Sequence, residues 1–222
     1  MSGKRRLAIL ISGRGSNLQA FIDAYEAGEL DCDFALVLSN NPDASGLARA
    51  EAAGIPTDCV NHREFETREA FDRALAARVA EARPDLVILA GFMRILTSEF
   101  LTPFAGKLLN VHPSLLPKYP GLNTHQRALD AGDSEAGVTV HFVTPELDGG
   151  PPVVQARVPI ISGDSAETLA RKVLAEEHTI YPLAARWFLE GRLVLTAHGA
   201  ELDGSLLPPT GFPFSHDPTP PR

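Results

Sequence analysis

Four short, largely apolar runs, at residues 7–11, 34–38, 85–90 and 108–111, alternate with helical periodicity at 17–27, 45–53, 63–82 and 97–104. A strand that is apolar at every position is buried on both faces, and a parallel sheet covered by helices on both sides provides that burial. The first half of the chain is therefore expected to be α/β and doubly wound. Beyond Gly121 one more helical pattern, near 124–131, precedes a change of rhythm. Residues 138–143 and 153–158 alternate apolar with polar, as antiparallel strands with one solvated face do. A long helix is expected over 165–188, opened by Ser165 and ended at Gly191, with Pro182 inside it bending or breaking it. Residues 209–222 are so rich in proline that an unstructured tail is expected.

A chain of 222 residues has room for one large α/β domain or two small lobes. No apolar run reaches the length that crosses a bilayer, and the basic cluster Lys4-Arg5-Arg6 leads into a run too short for an export signal. Cys32 and Cys59 alone make neither a disulfide framework nor a zinc set, which fits a reducing cytoplasm. With 20 Lys and Arg against 28 Asp and Glu, the net charge of −8 argues against nucleic acid as a partner. A small anion held locally remains compatible with it.

The turn Ser12-Gly13-Arg14-Gly15-Ser16-Asn17 lies between a buried strand and a helix start. Glycines let the backbone curl there, and the amides of Gly15, Ser16 and Asn17 then face outward at the positive end of a helix dipole, ready for a phosphate or carboxylate. The plainer alternative is a βα turn with Ser16 as N-cap. The turn is not G-x-G-x-x-G, since Leu18 stands where the third glycine belongs, and no G-x-x-x-x-G-K-[ST] occurs, so dinucleotide and ATP sites are disfavoured.

Strand alternation puts Asn110 and His112 on one face at the carboxyl end of a parallel strand, where open α/β sheets hold their ligands. Pro113, Pro117, Pro120 and Gly121 stiffen the loop that follows. Asp148, beside Gly149 and Gly150, reads as a turn aspartate; if its loop folds over His112, its carboxylate favours imidazolium and raises the histidine pKa. Asn110 then offers an uncharged donor to the same developing oxyanion, a set suited to acyl or formyl transfer without a nucleophilic side chain. Ser12 and Ser114 lack a nucleophile-elbow context, Cys59 has no activating partner, and the seven histidines show no metal-binding spacing. Glu176-Glu177-His178 reads as a solvated helix face from which one carboxylate can reach a sugar hydroxyl.

The segments 11–19 (ISGRGSNLQ), 89–96 (LAGFMRIL), 109–121 (LNVHPSLLPKYPG), 140–151 (VHFVTPELDGGP) and 155–159 (QARVP) together resemble the phosphoribosylglycinamide formyltransferases, folate-dependent transformylases of purine synthesis, in order over about 7–209. The resemblance implies a Rossmann-like formyltransferase fold over 1–208, with a nucleotide-binding half at about 1–110 and a folate-binding half at about 111–208. It implies formyl transfer from 10-formyltetrahydrofolate to the glycinamide amine, without a metal, with Asn110, His112 and Asp148 as the catalytic trio. It puts the nucleotide on Gly15, Ser16, Asn17, Leu18 and Gln19, with Lys118 near the phosphate and Glu177 on the ribose. Folate is implied at Arg68, at Met93, Arg94, Ile95 and Leu96, and at Thr144, Pro145, Glu146 and Leu147. Arg14 and Asn123 depart from the family pattern, where a small polar residue and a histidine are common.

The same trio serves related activities. A methionyl-tRNA formyltransferase is expected to add a basic C-terminal domain, and a formyltetrahydrofolate deformylase an N-terminal regulatory domain. A non-catalytic binding protein on this fold is expected to lose the trio. A cytoplasmic monomer or homodimer acting on small molecules, with neither nucleic acid nor membrane as partner, is the resulting expectation.

Overall fold

The computed structural model describes residues 3–216. Its central sheet has eight strands in the order β3–β2–β1–β4–β5–β6–β7–β11: β1 (Arg5–Ile11), β2 (Cys32–Ser39), β3 (Thr57–Cys59), β4 (Leu86–Leu89), β5 (Leu108–His112), β6 (Glu135–Phe142), β7 (Pro152–Pro159) and β11 (Phe212–Phe214). The five strands from β3 to β5 run parallel, and β6 lies antiparallel between β5 and β7. A small antiparallel sheet of β8 (Leu193–Thr196), β9 (Gly199–Leu202) and β10 (Ser205–Leu206) follows the last helix.

The apolar runs divide by parity into two cores. Leu7, Ile9, Ile11, Leu86 and Ile88 face α1 (Ser16–Glu26) and α6 (Ala166–Leu189), where Leu18, Phe21, Ile180 and Tyr181 are buried. Ala8, Leu10, Val87 and Leu89 face α3 (Arg68–Glu81) and α4 (Ser98–Leu101) on the other side, against Phe71, Leu75 and Phe100. This two-sided burial is what an uninterrupted apolar strand requires. From β1 the chain winds outward to β3, then returns to place β4 on the other side of β1. The turn after β1 and the loop after β4 thus diverge at a topological switch point, which opens a crevice at the carboxyl ends of the strands.

Several sequence expectations change. Helix α6 continues through Pro182; Ile180, Tyr181, Ala184 and Ala185 around it are buried against the sheet, and Tyr181 Oη donates to the carbonyls of Leu109 (2.8 Å) and Leu89 (3.1 Å). Packing holds the helix across the one backbone bond the proline removes. The stretch 63–82 splits into a single 3₁₀ turn, His62–Glu64, and α3, because the Thr67 hydroxyl caps α3 by accepting the Ala70 N–H (3.1 Å).

The proline-rich end is also ordered in part. Its residues 212–214 form β11, parallel to β7, with Pro213 opposite Gln155. β11 is the outermost strand, so a residue without an N–H is tolerated there, and Phe212 packs edge-on against Trp187 at 5.5 Å. The rest of that expectation, residues 217–222, lies outside the described residues. Strand β3 and the small sheet were not legible as strands, being short and without continuous apolar character.

Candidate active site

The anion turn forms as a consequence of two glycines. Gly15 takes the left-handed conformation (φ 72°) and is itself the N-cap of α1, with no side chain capping the helix; Ser16 is the first helical residue instead. A Cβ on Gly15 would stand 2.9 Å from the Gly46 Cα at the start of α2 (Gly46–Ala52), so the close approach of the two helices needs glycine. The first-turn amides of Ser16, Asn17 and Leu18 have no partner within the helix and lie at the positive end of its dipole, and Asn17 lines a cavity of the crevice. Gln19 is different: its N–H donates to Gly15 O (2.9 Å), and its side chain links Asp23 (2.8 Å) and Arg49 (3.1 Å). The Leu18 side chain belongs to the core. Arg14 is exposed, its carbonyl accepting from Arg49 Nε (2.9 Å).

Across the crevice, α6 brings Glu177 to the turn, where its Oε2 accepts from Asn17 Nδ2 (3.0 Å). Burial pushes the Glu177 carboxyl above its ordinary value, and the Asn17 hydrogen bond offsets only part of this. The other amide atom, Asn17 Oδ1, is buried without a partner among the described residues. A buried acid beside an unsatisfied carbonyl oxygen is suited to a ligand with hydroxyl donors.

At the end of β5 the sequence-derived trio comes together. His112 Nδ1 lies 3.4 Å from Asp148 Oδ2, and Nε2 donates to the Tyr119 carbonyl at 2.8 Å. Both ring nitrogens face oxygen acceptors. Asp148 sits at φ 51° and also accepts the Gly121 N–H (2.9 Å), so the loop after β6 and the proline-stiffened loop after β5 are bound through one carboxylate. Gly150 makes this possible, since a Cβ there would lie 1.8 Å from the Phe142 carbonyl oxygen.

A fourth residue joins them, one the sequence reading treated only as a histidine without metal spacing. His141 pairs across the sheet with Asn110, and Asn110 Nδ2 lies 3.2 Å from His141 Nε2. Burial lowers the His141 pKa, with the Phe142 carbonyl and Asp148 acting weakly against it and His112 with it. The ring is neutral, Nδ1–H donates to Phe142 O (2.8 Å), and bare Nε2 accepts one Asn110 N–H. The second Asn110 N–H is left for a ligand. The strand register alone reveals this pairing; no local sequence signal carries it.

Two cavities meet at Asn110 and His112. One, of about 380 Å³, is lined by every implied folate residue except Arg68: Met93, Arg94, Ile95 and Leu96 from one loop, Thr144, Pro145, Glu146 and Leu147 from another. The other, of about 520 Å³, is lined by Asn17, Glu177, Asn123 and His125 among others. Both draw on residues before and after 110. Asn123 occupies the left-handed region (φ 58°), which an asparagine side chain tolerates, at the start of α5 (Thr124–Asp130). Burial, together with the charge of His112, lowers the His125 pKa. Two implied residues stand apart. Lys118 is exposed, pairs with Asp133 (2.9 Å) and lines neither cavity, and Arg68 is exposed at the start of α3. The nearer cation is Arg94, whose guanidinium lies over the Phe71 ring at 5.2 Å. Among the described residues no cluster of His, Cys, Asp or Glu is arranged to hold a metal ion, and no helix is long and apolar enough to cross a membrane.

Comparison with known proteins agrees with this geometry. The formyl transferase family model matches residues 5–185. The phosphoribosylglycinamide formyltransferase of Escherichia coli strain K12 is 52% identical over 206 residues, covering 93% of this chain and 97% of that protein. Its counterpart from Haemophilus influenzae is 49% identical over 208 residues, covering 94% and 98%. A solved phosphoribosylglycinamide formyltransferase from Coxiella burnetii, in complex with CHES, superposes with a TM-score of 0.92 at 46% identity, covering 96% of this chain and all of that one. Matched by the family model over residues 5–185 and by these relatives over nearly its whole length, the chain belongs to the formyl transferase family.

Proposed function

We propose that this protein transfers the formyl group of 10-formyltetrahydrofolate to the amine of phosphoribosylglycinamide; its near relatives are named phosphoribosylglycinamide formyltransferases. The convergence of Asn110, His112 and Asp148 on the wall shared by two cavities carries this reading. The nucleotide phosphate sits on the amides of Gly15, Ser16, Asn17 and Leu18, and Glu177 accepts from the ribose hydroxyls. The folate lies in the other cavity, where Met93, Ile95, Leu122 and Leu147 leave large apolar surface open to solvent and awaiting a flat ring system.

The neutral glycinamide amine attacks the formyl carbon, and the carbonyl becomes an oxyanion. Asn110 donates its free N–H to that oxygen while His141 holds the amide in orientation. His112, engaged at both nitrogens, contributes the positive charge of its imidazolium at the cavity wall. Asp148 keeps that charge in place and, through water, helps carry the proton from the new ammonium to the folate nitrogen as its bond to carbon breaks. The products are the formylated amide and tetrahydrofolate.

An assay of formyl transfer from 10-formyltetrahydrofolate, run with and without glycinamide ribonucleotide, tests this directly. Tetrahydrofolate is expected only when the acceptor is present. Release of formate and tetrahydrofolate without acceptor would instead identify a deformylase.

A further inference from the structure

The loop after β4 and the turn after β1 flank the crevice, the first lining the donor cavity and the second leading into the anion cradle. One side chain joins them. Ser12 Oγ accepts the Met93 N–H (2.8 Å) and donates to Asn40 Oδ1 (2.6 Å). Asn40 is buried, and its own carbonyl accepts from His62 Nδ1 (2.7 Å) and N (3.2 Å), which fixes the acceptor that orients the serine hydroxyl. The next residue, Gly13, is tied in turn, its carbonyl accepting the Gly46 N–H (3.0 Å). Ser12 is therefore neither a nucleophile nor a plain turn residue: it is the point at which the anion turn and the donor loop share a hydrogen bond.

The far end of the donor loop is held by different means. The Thr97 N–H donates to Asp72 Oδ2 (2.5 Å), and Asp72 is wholly buried on α3, on the opposite face of the sheet from α1. Both tethers fix the loop; of the two, Ser12 is the one that ties it to the turn before α1, at Met93, a residue that lines both cavities.

We propose that Ser12 is a positioning residue that makes the binding of the two substrates interdependent, an inference that rests on the formyl-transfer reading. An anion seated on the first-turn amides stiffens the turn; through Ser12 the Met93 loop is ordered as well, and the folate then binds a loop that has already lost part of its freedom. The coupling is reciprocal. One hydrogen bond of this kind corresponds to about a two- to tenfold change in an equilibrium constant.

Calorimetric titration of the full-length protein with tetrahydrofolate, in the absence and presence of saturating glycinamide ribonucleotide, measures the coupling as a ratio of Kd values. Wild type is expected to bind tetrahydrofolate about two- to tenfold more tightly with the nucleotide present. In Ser12→Ala the ratio falls to about one, and Ser12→Thr, which keeps the hydroxyl, restores it. Asp72→Asn is expected to weaken tetrahydrofolate binding with and without nucleotide and to preserve the ratio. A wild-type ratio of one overturns the proposal, as does a wild-type ratio in Ser12→Ala, or loss of the ratio in Asp72→Asn to the same degree. These results leave the formyl-transfer reading standing. Failure of wild type to bind either ligand removes both.

Discussion

On one side of Asn110 and His112 the cavity wall holds Asn17 and the buried carboxylate of Glu177; on the other it holds apolar side chains open to solvent, Ile95 and Leu147 among them. The anion turn itself is local, six residues whose glycines let a helix begin without a side-chain cap, while the cavity beside it also takes residues 91–93, 110–113 and 121–126 and Glu177 from elsewhere in the chain. The donor cavity takes its surface from loops following β4, β5 and β6, which lie far apart in the chain. A phosphate is recognised by direction and charge, which a helix start supplies by its geometry. A flat organic ring is recognised by area and shape, and no single segment supplies enough of either.

The largest expected effect belongs to the wall the two sides share. His112→Ala, Asn110→Ala and Asp148→Ala are each expected to lower kcat by about 10²–10³, with both KM values moving only a few-fold, as steady-state kinetics with either substrate varied will report. A loss confined to one KM would assign the residue to one cavity rather than to the chemistry.

Next comes Glu177→Gln, which keeps the shape and removes the charge. It is expected to raise KM for glycinamide ribonucleotide by about tenfold or more and leave the folate KM unchanged. The same variant has a stability signature. Because burial raises the folded-state pKa of Glu177 above its ordinary value of 4.5, the folded protein binds more protons than the unfolded chain between the two values, and stability falls as pH rises through that window. The glutamine variant is thus expected to melt above wild type at neutral pH and to lose the advantage as pH falls to the ordinary glutamate value. Equal melting temperatures at pH 7 would remove burial as the cause.

The donor side responds more weakly. Ile95→Ser, at a side chain 56% exposed in the folate cavity, is expected to raise the folate KM about three- to tenfold without changing the nucleotide KM, from the apolar area lost on binding. The smallest effect separates position from resemblance: Lys118→Ala is expected to leave the nucleotide KM within about twofold, because its ammonium is an exposed partner of Asp133. A tenfold loss would mean that the proline-stiffened loop turns Lys118 inward when nucleotide binds.

The contrast between the two sides also explains what could be read in advance. Runs such as 7–11 and 85–90 announced buried parallel strands because a strand between two helix layers faces a core on both sides, whereas the order β3–β2–β1–β4–β5 came from the folded sheet. Asn110 and His112 were legible because two residues apart on one strand are on one face whatever the tertiary structure. His141 was not: its partner Asn110 is 31 residues away, and only the antiparallel register of β5 and β6 makes them opposite. Pro182 and Pro213 misled for the same reason in reverse. Local rules forbid regular structure at proline, but a helix packed on a sheet and a strand paired on one side each tolerate the missing N–H.

What the amino-acid order determined by itself was everything governed by short-range geometry: the parity of buried strands, the glycine-shaped turn before α1, and a histidine and an asparagine facing one way. Where a long-range contact was needed, the folded chain decided. It brought Asp148 to His112, neutral His141 to Asn110, and Ser12 between two loops, while it paired Lys118 with Asp133. Backbone dihedrals and side-chain alternation act over a few residues, so sequence displays them openly; a hydrogen bond between strands depends on register and sheet order, which the packing of the whole domain sets.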